Sequence, residues 1–132
     1  MERNEYQPVA RSQYYRMLID SIIDQDALRE GILTDRLDIR MARFVDRVWH
    51  DDYLRRWLCS PNKACAPVSE VNFVRLLGWM QSHDFFADGV TKLRLAAYLE
   101  ENMPIAHDWS RKTILKYLCE GVSKLIDQRL KA

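Results

Sequence analysis

Residues 109–130 read WSRKTILKYLCEGVSKLIDQRL. Ile114, Leu115, Leu118, Val122, Leu125 and Ile126 recur there at three- and four-residue spacing. An α-helix returns to the same face every three to four residues, so these side chains form one apolar stripe. Ser110 stands where a cap is needed, because its hydroxyl can accept from backbone N–H groups that the first turn leaves unpaired. The other face carries six cations, Arg111, Lys112, Lys116, Lys124, Arg129 and Lys131, against Glu120 and Asp127. Gly121 is the weak point: inside a helix it costs about 1 kcal/mol relative to alanine, and it can kink the helix or split it in two.

Working back from this stretch, the helical period recurs. Thr91 starts a helix over Lys92–Asn102, with Leu93, Ala96, Ala97 and Leu99 facing inward, and Met103-Pro104 ends it because proline cannot continue the ladder. HDFFADG, residues 83–89, is a turn whose Phe85 and Phe86 should tuck inward. Ser69 caps a helix over Glu70–Ser82 that is apolar nearly all round and therefore central and buried. SPNKACAP, residues 60–67, is the clearest loop and a candidate sub-boundary between two helical halves.

The first half follows the same rule. Tyr14, Tyr15, Leu18, Ile19, Ile22 and Ile23 set a helix from about Pro8 to Gln25, and Asp26 caps a short piece from Ala27 to Leu33. Leu37, Met41, Phe44 and Val48 define the next core stripe. One residue earlier each time, Arg36, Arg40, Arg43 and Arg47 form a parallel stripe roughly 100° round the helix. Trp49, Tyr53, Leu54, Trp57 and Leu58 continue helically, with Asp51 and Asp52 placed to pair with Arg55 and Arg56. The expected fold is all-α: one helical domain over residues 1–132, a bundle of about five to seven helices ending in a helix-turn-helix-like pair.

Composition bounds the function. Twenty Lys and Arg against 19 Asp and Glu leave a net charge of +1, so a nucleic-acid reading must rest on where the charge lies. Eleven cations meet eleven acids in residues 1–66, and nine meet eight in 67–132. Three cysteines cannot pair off among themselves and are too few for a disulfide scaffold, which fits a reducing cytoplasm. The first residues carry charge and no apolar core of a signal peptide, and no run approaches the roughly 20 apolar residues that cross a bilayer. There is no glycine-rich phosphate loop, no nucleophile motif and no internal repeat.

Two constellations point to binding. Lys92–Asn102 followed by the helix from Ser110 can act as a DNA-reading pair, presenting Ser110, Arg111, Lys112, Thr113 and Lys116 at the front of the second helix. The connection from Met103 to Trp109 is longer than the usual three- or four-residue turn, and plain bundle packing gives the same pattern. The Arg36, Arg40, Arg43, Arg47 stripe is either an auxiliary phosphate- or partner-contacting face or a solvated flank whose stems cover the core edge. The Arg and Trp richness of residues 36–58 fits a protein-partner or dimer surface equally.

FVRLLGWMQSHDFFADG, LAAYLEEN and SRKTILKYLCEGVSKLIDQRL, in that order, resemble the C-terminal helical region of RteC-type regulators of Bacteroides mobile elements. The resemblance covers roughly residues 70–130 and implies a helix-turn-helix transcriptional role. His50-Asp51, His83-Asp84 and His107-Asp108 resemble the metal-binding pairs of HD phosphohydrolases, but the His83-Asp84 pair precedes Phe85-Phe86 at a helix end, unlike that family's buried context. As turn and cap residues the pairs have a simpler explanation. Cys59 and Cys65 with His50 lack zinc-site spacing. The expectation is therefore a cytoplasmic, non-enzymatic regulator without cofactor or metal, with a metal-dependent HD-type phosphohydrolase as the distant alternative. Its partner is nucleic acid or, in the alternative, a protein, with a homodimer left open and no membrane contact.

Overall fold

The computed structural model describes residues 13–22, 25–59, 68–102 and 109–132. Eight helices lie among the described residues: α1 (13–20), α2 (Gln25–Arg29), α3 (Asp35–Trp49), α4 (Asp52–Leu58), α5 (Glu70–Ser82), α6 (Lys92–Asn102), α7 (Arg111–Glu120) and α8 (Lys124–Lys131). The architecture is all-α, and the one β pairing among the described residues is an isolated antiparallel bridge between Cys59 and Val68. The Pro8 start of the first helix lies outside the described residues. Its end falls earlier than the apolar spacing implies, in a turn at 21–22.

The number of helices exceeds the expected five to seven because capping residues break two long patterns. At His50 the backbone leaves the helix, and Asp51 begins a new one: its Oδ1 accepts from the backbone N–H groups of Tyr53 at 2.9 Å and Leu54 at 3.1 Å. At the C-terminal end, Gly121 takes φ 75°, which a side chain rarely tolerates, and Ser123 caps α8 by accepting from Ile126 N–H. The expected caps Ser69, Thr91 and Ser110 all accept from the backbone N–H three residues on. Asp26 lies inside α2 rather than ahead of it.

α5 is the central helix. Phe73, Val74, Leu76, Leu77, Gly78, Trp79 and Met80 are all buried. α7 packs along it, and α6 packs on α7. At the α5–α7 crossing the backbones meet: a Cβ on Gly78 would lie 2.2 Å from Leu118 O. Two aromatic groups join the remaining layers. Tyr15 stacks on Trp49 at 4.7 Å and meets Phe73 edge-on at 6.0 Å, while its hydroxyl donates to Val45 O. Trp79 stacks between Phe44 at 5.5 Å and His83 at 3.9 Å, and its indole N–H donates to Asp127 Oδ1 on α8 at 2.8 Å. One cluster of buried side chains runs from Tyr15 to Leu130. Met41, Phe44 and Val48 are buried as expected, and so are Phe85 and Phe86.

Two inward assignments are corrected. Leu93 is 59% exposed, and α6 buries Leu95 and Tyr98 beside Ala96 and Leu99. Leu125 is 62% exposed, because the break at Gly121 gives α8 its own rotation and turns Ile126 and Leu130 to the core instead.

Candidate nucleic-acid interface

The front of α7 is built from both sides. Ser110 Oγ accepts from the Thr113 backbone N–H at 3.3 Å and lies 3.3 Å from Thr113 Oγ1, so both hydroxyls serve the helix end. Glu100, near the end of α6, accepts from the Arg111 backbone N–H at 2.9 Å and from Arg111 Nε at 3.2 Å. That double contact fixes the Arg111 stem. No hydrogen bond among the described residues uses its two terminal Nη groups, and the side chain is half exposed. Lys112 and Lys116 follow one turn apart on the exposed face. Neither has a carboxylate partner among the described residues, and Lys116 Nζ lies 5.3 Å from the Tyr117 ring. The connection at 103–108, including His107-Asp108, lies outside the described residues.

The Arg stripe of α3 divides. Arg40 donates to Asp84 O at 2.7 Å and His83 O at 3.4 Å, just past the end of α5, with its guanidinium 4.0 Å from the Phe85 ring. Arg47 donates to Leu130 O and Arg129 O in the last turn of α8. Both arginines place positive charge at the C-terminal end of a helix, where it offsets the negative end of the helix dipole. Arg36 and Arg43 are exposed and make no such contact among the described residues. No hydrogen bond or ion pair among the described residues joins the stripe to the front of α7. Replacing Arg40 or Arg47 by alanine is expected to lower stability by about 1 kcal/mol each, and replacing Arg36 or Arg43 by less than about 0.5 kcal/mol, read by chemical unfolding.

The remaining candidates have local structural partners. His83 Nδ1 is 2.8 Å from Trp79 O, and His50 Nδ1 is 2.8 Å from Asp46 O. Asp51 caps α4 and takes Arg129 at 3.5 Å, rather than Arg55 or Arg56 as its spacing implies. Asp52 pairs with Arg55, as the spacing implies. Among the described residues no three of His, Cys, Asp and Glu gather as a metal site would require. Cys59 sits in the bridge to Val68, and Cys65 lies outside the described residues. No helix among the described residues is long and apolar enough to cross a membrane.

No family model, curated protein or solved structure matches the chain.

A second surface was hidden from sequence reading. An open groove of about 850 Å³ runs between α4, α5 and the α7–α8 break, lined by Tyr53, Arg56, Trp57, Arg75, Glu120 and Ser123 among others. Arg75 binds Glu120 through Nε at 2.9 Å and through Nη2. A smaller hollow of about 260 Å³ continues past Tyr53 to Leu125, Gln128 and Arg129. The groove exists because Gly121 ends α7 and redirects the chain. The glycine itself was the available signal, but its direction of turn is not encoded in spacing.

Proposed function

We propose that the chain is a small, non-enzymatic, cytoplasmic regulatory protein that binds duplex nucleic acid with the front of α7, α6 and α7 serving as a helix-turn-helix-like pair. The observation that carries this reading is the bracing of Arg111. Glu100 takes its Nε and backbone N–H, so the fork of terminal N–H groups is held outward on a rigid helix beside Lys112 and Lys116. A guanidinium fixed at Nε retains its two terminal NH2 groups, four N–H donors, for phosphate or base edges. The Glu100 charge is spent on that brace and repels an approaching phosphate less than a free carboxylate would. Ser110 and Thr113 stabilise the helix end, while Arg40 and Arg47 serve the fold. The likeness of residues 70–130 to RteC-type regulators points the same way.

A second reading is a protein-interaction module, with self-association included. Ile39 on α3 is 60% exposed and lies between the exposed Arg36 and Arg43 on the same helix. An apolar side chain in an arginine frame is typical of a partner surface.

Binding to random-sequence duplex DNA across a salt series separates the two. Wild type is expected to bind at low salt with a steep slope of log affinity against log salt. The Arg111→Ala/Lys112→Ala/Lys116→Ala variant is expected to lower that slope by about 3, one unit per lost phosphate contact. Equal slopes, or no binding at low salt, would overturn the nucleic-acid reading and favour the Ile39 face.

A further inference from the structure

We infer that the groove between α4 and α8 is a binding site for single-stranded nucleic acid, separate from the front of α7 and independent of what that surface binds. Groove and front lie at opposite ends of α7, about 15 Å apart for a helix of ten residues.

Proteins that hold single strands combine a positively charged channel for the backbone with aromatic rings on which bases stack. Both parts are present. Tyr53 and Trp57 are four residues apart on α4, so they stand on one face with Cβ atoms about 6 Å apart, and both line the groove. Tyr53 also lines the adjoining hollow, so the two concavities meet at its ring. Three guanidinium groups border them, Arg56, Arg75 and Arg129, against one carboxylate, Glu120.

The local pairs decide which charges are free. Arg75 is spent on Glu120. Arg129 leans 3.5 Å from Asp51 and 5.4 Å from the Tyr53 ring. Asp52 is spent on Arg55. Among the described residues Arg56 donates only to the Asp52 backbone carbonyl, at 3.3 Å, and has no carboxylate partner. The surplus is thus positive and centred on Arg56, next to both rings. Gln128 adds an amide that can both donate and accept, as base edges require. An acidic protein segment would meet the same charges, but it would leave the rings without flat partners. The aromatic pair favours bases.

The test uses fluorescence anisotropy with the full chain and a labelled oligo(dT) of about 12 nucleotides, within the span that one such groove covers. Wild type is expected to bind at low salt. Tyr53→Ala is expected to weaken binding about tenfold, the effect of one lost stacking platform, and Tyr53→Phe to stay within about twofold of wild type. Arg56→Gln is expected to lower the salt slope by about one. In the Arg111→Ala/Lys112→Ala/Lys116→Ala background the tenfold loss on Tyr53→Ala is expected to persist, which separates this site from the α7 front. Tyr53 and Arg56 are exposed, so circular dichroism is expected to show folded variants. Three outcomes would overturn the inference: no binding at low salt, unchanged affinity in Tyr53→Ala, or polyglutamate competing as well as unlabelled oligo(dT). The last would assign the groove to acidic protein segments.

Discussion

Gly78→Ala is expected to destabilise the protein by about 2 kcal/mol or more, although alanine is the better helix former. Gly78 lies mid-helix in α5, where alanine alone would gain about 1 kcal/mol. The added Cβ would stand 2.2 Å from Leu118 O, 2.9 Å from its carbonyl carbon and 3.0 Å from its Cα. All three are backbone atoms of α7, so no rotamer change relieves the clash and the α5–α7 crossing itself must open. Overpacking of that kind costs about 3 kcal/mol or more, which exceeds the propensity gain. A fall in Tm of roughly 10 °C in a thermal melt would match that estimate. An unchanged or raised Tm would mean that the two helices do not meet at Gly78. Because α7 carries Arg111, Lys112 and Lys116, the variant should also weaken any binding at the α7 front without touching a binding residue.

Trp79→Ala is expected to cost about 4 kcal/mol, because it empties a buried site where three elements meet. The ring lies between Phe44 of α3 and His83 past the end of α5, and its N–H reaches Asp127 of α8. Trp79→Phe keeps a ring for Phe44 and removes the donor to Asp127, so its loss should be smaller but pH-dependent. That indole N–H, with help from Lys131, holds the Asp127 carboxyl below the usual carboxylate range, against a smaller opposing effect of burial. A lowered folded value means that the contribution is fully present above the ordinary value of 3.8 and is lost as pH falls through the lowered one. The difference in stability between wild type and Trp79→Phe should therefore shrink on acidification below about pH 4. Urea midpoints taken across that range decide it: a constant difference would show that the carboxylate is not the partner.

Most of the helices were legible because their signals are local. The caps Ser69, Thr91 and Ser110 each need only a short side chain and the next turn, and the buried run from Phe73 to Met80 needs only composition. What failed depended on where neighbouring helices lie. Leu93 and Leu125 have the right spacing to face inward, yet α6 turns on Leu95 and Leu99, and α8 turns on Ile126 and Leu130. The Asp51 break is hidden because an i, i+4 pair with Arg55 and an N-cap of α4 use the same residue, and the cap won. The α3 arginines read as one stripe in sequence. Only the tertiary arrangement shows that α5 and α8 end against alternate members of it, which gives Arg40 and Arg47 structural partners of their own. The front of α7 is a run of adjacent residues and needs only the helical pattern, but the brace from Glu100 cannot be read from a spacing of eleven residues. The α4–α8 groove was invisible for the same reason: its walls come from three separate stretches of chain.

The most direct measurement is amide NMR of the labelled protein on addition of a short random-sequence duplex at low salt. The shifts are expected to centre on residues 110–116, with the Arg111 Nε signal moving and the α3 amides near Arg40 and Arg47 still. Shifts centred on Ile39 and its α3 neighbours, or none at all, would contradict the claim that the braced front of α7 is the nucleic-acid surface.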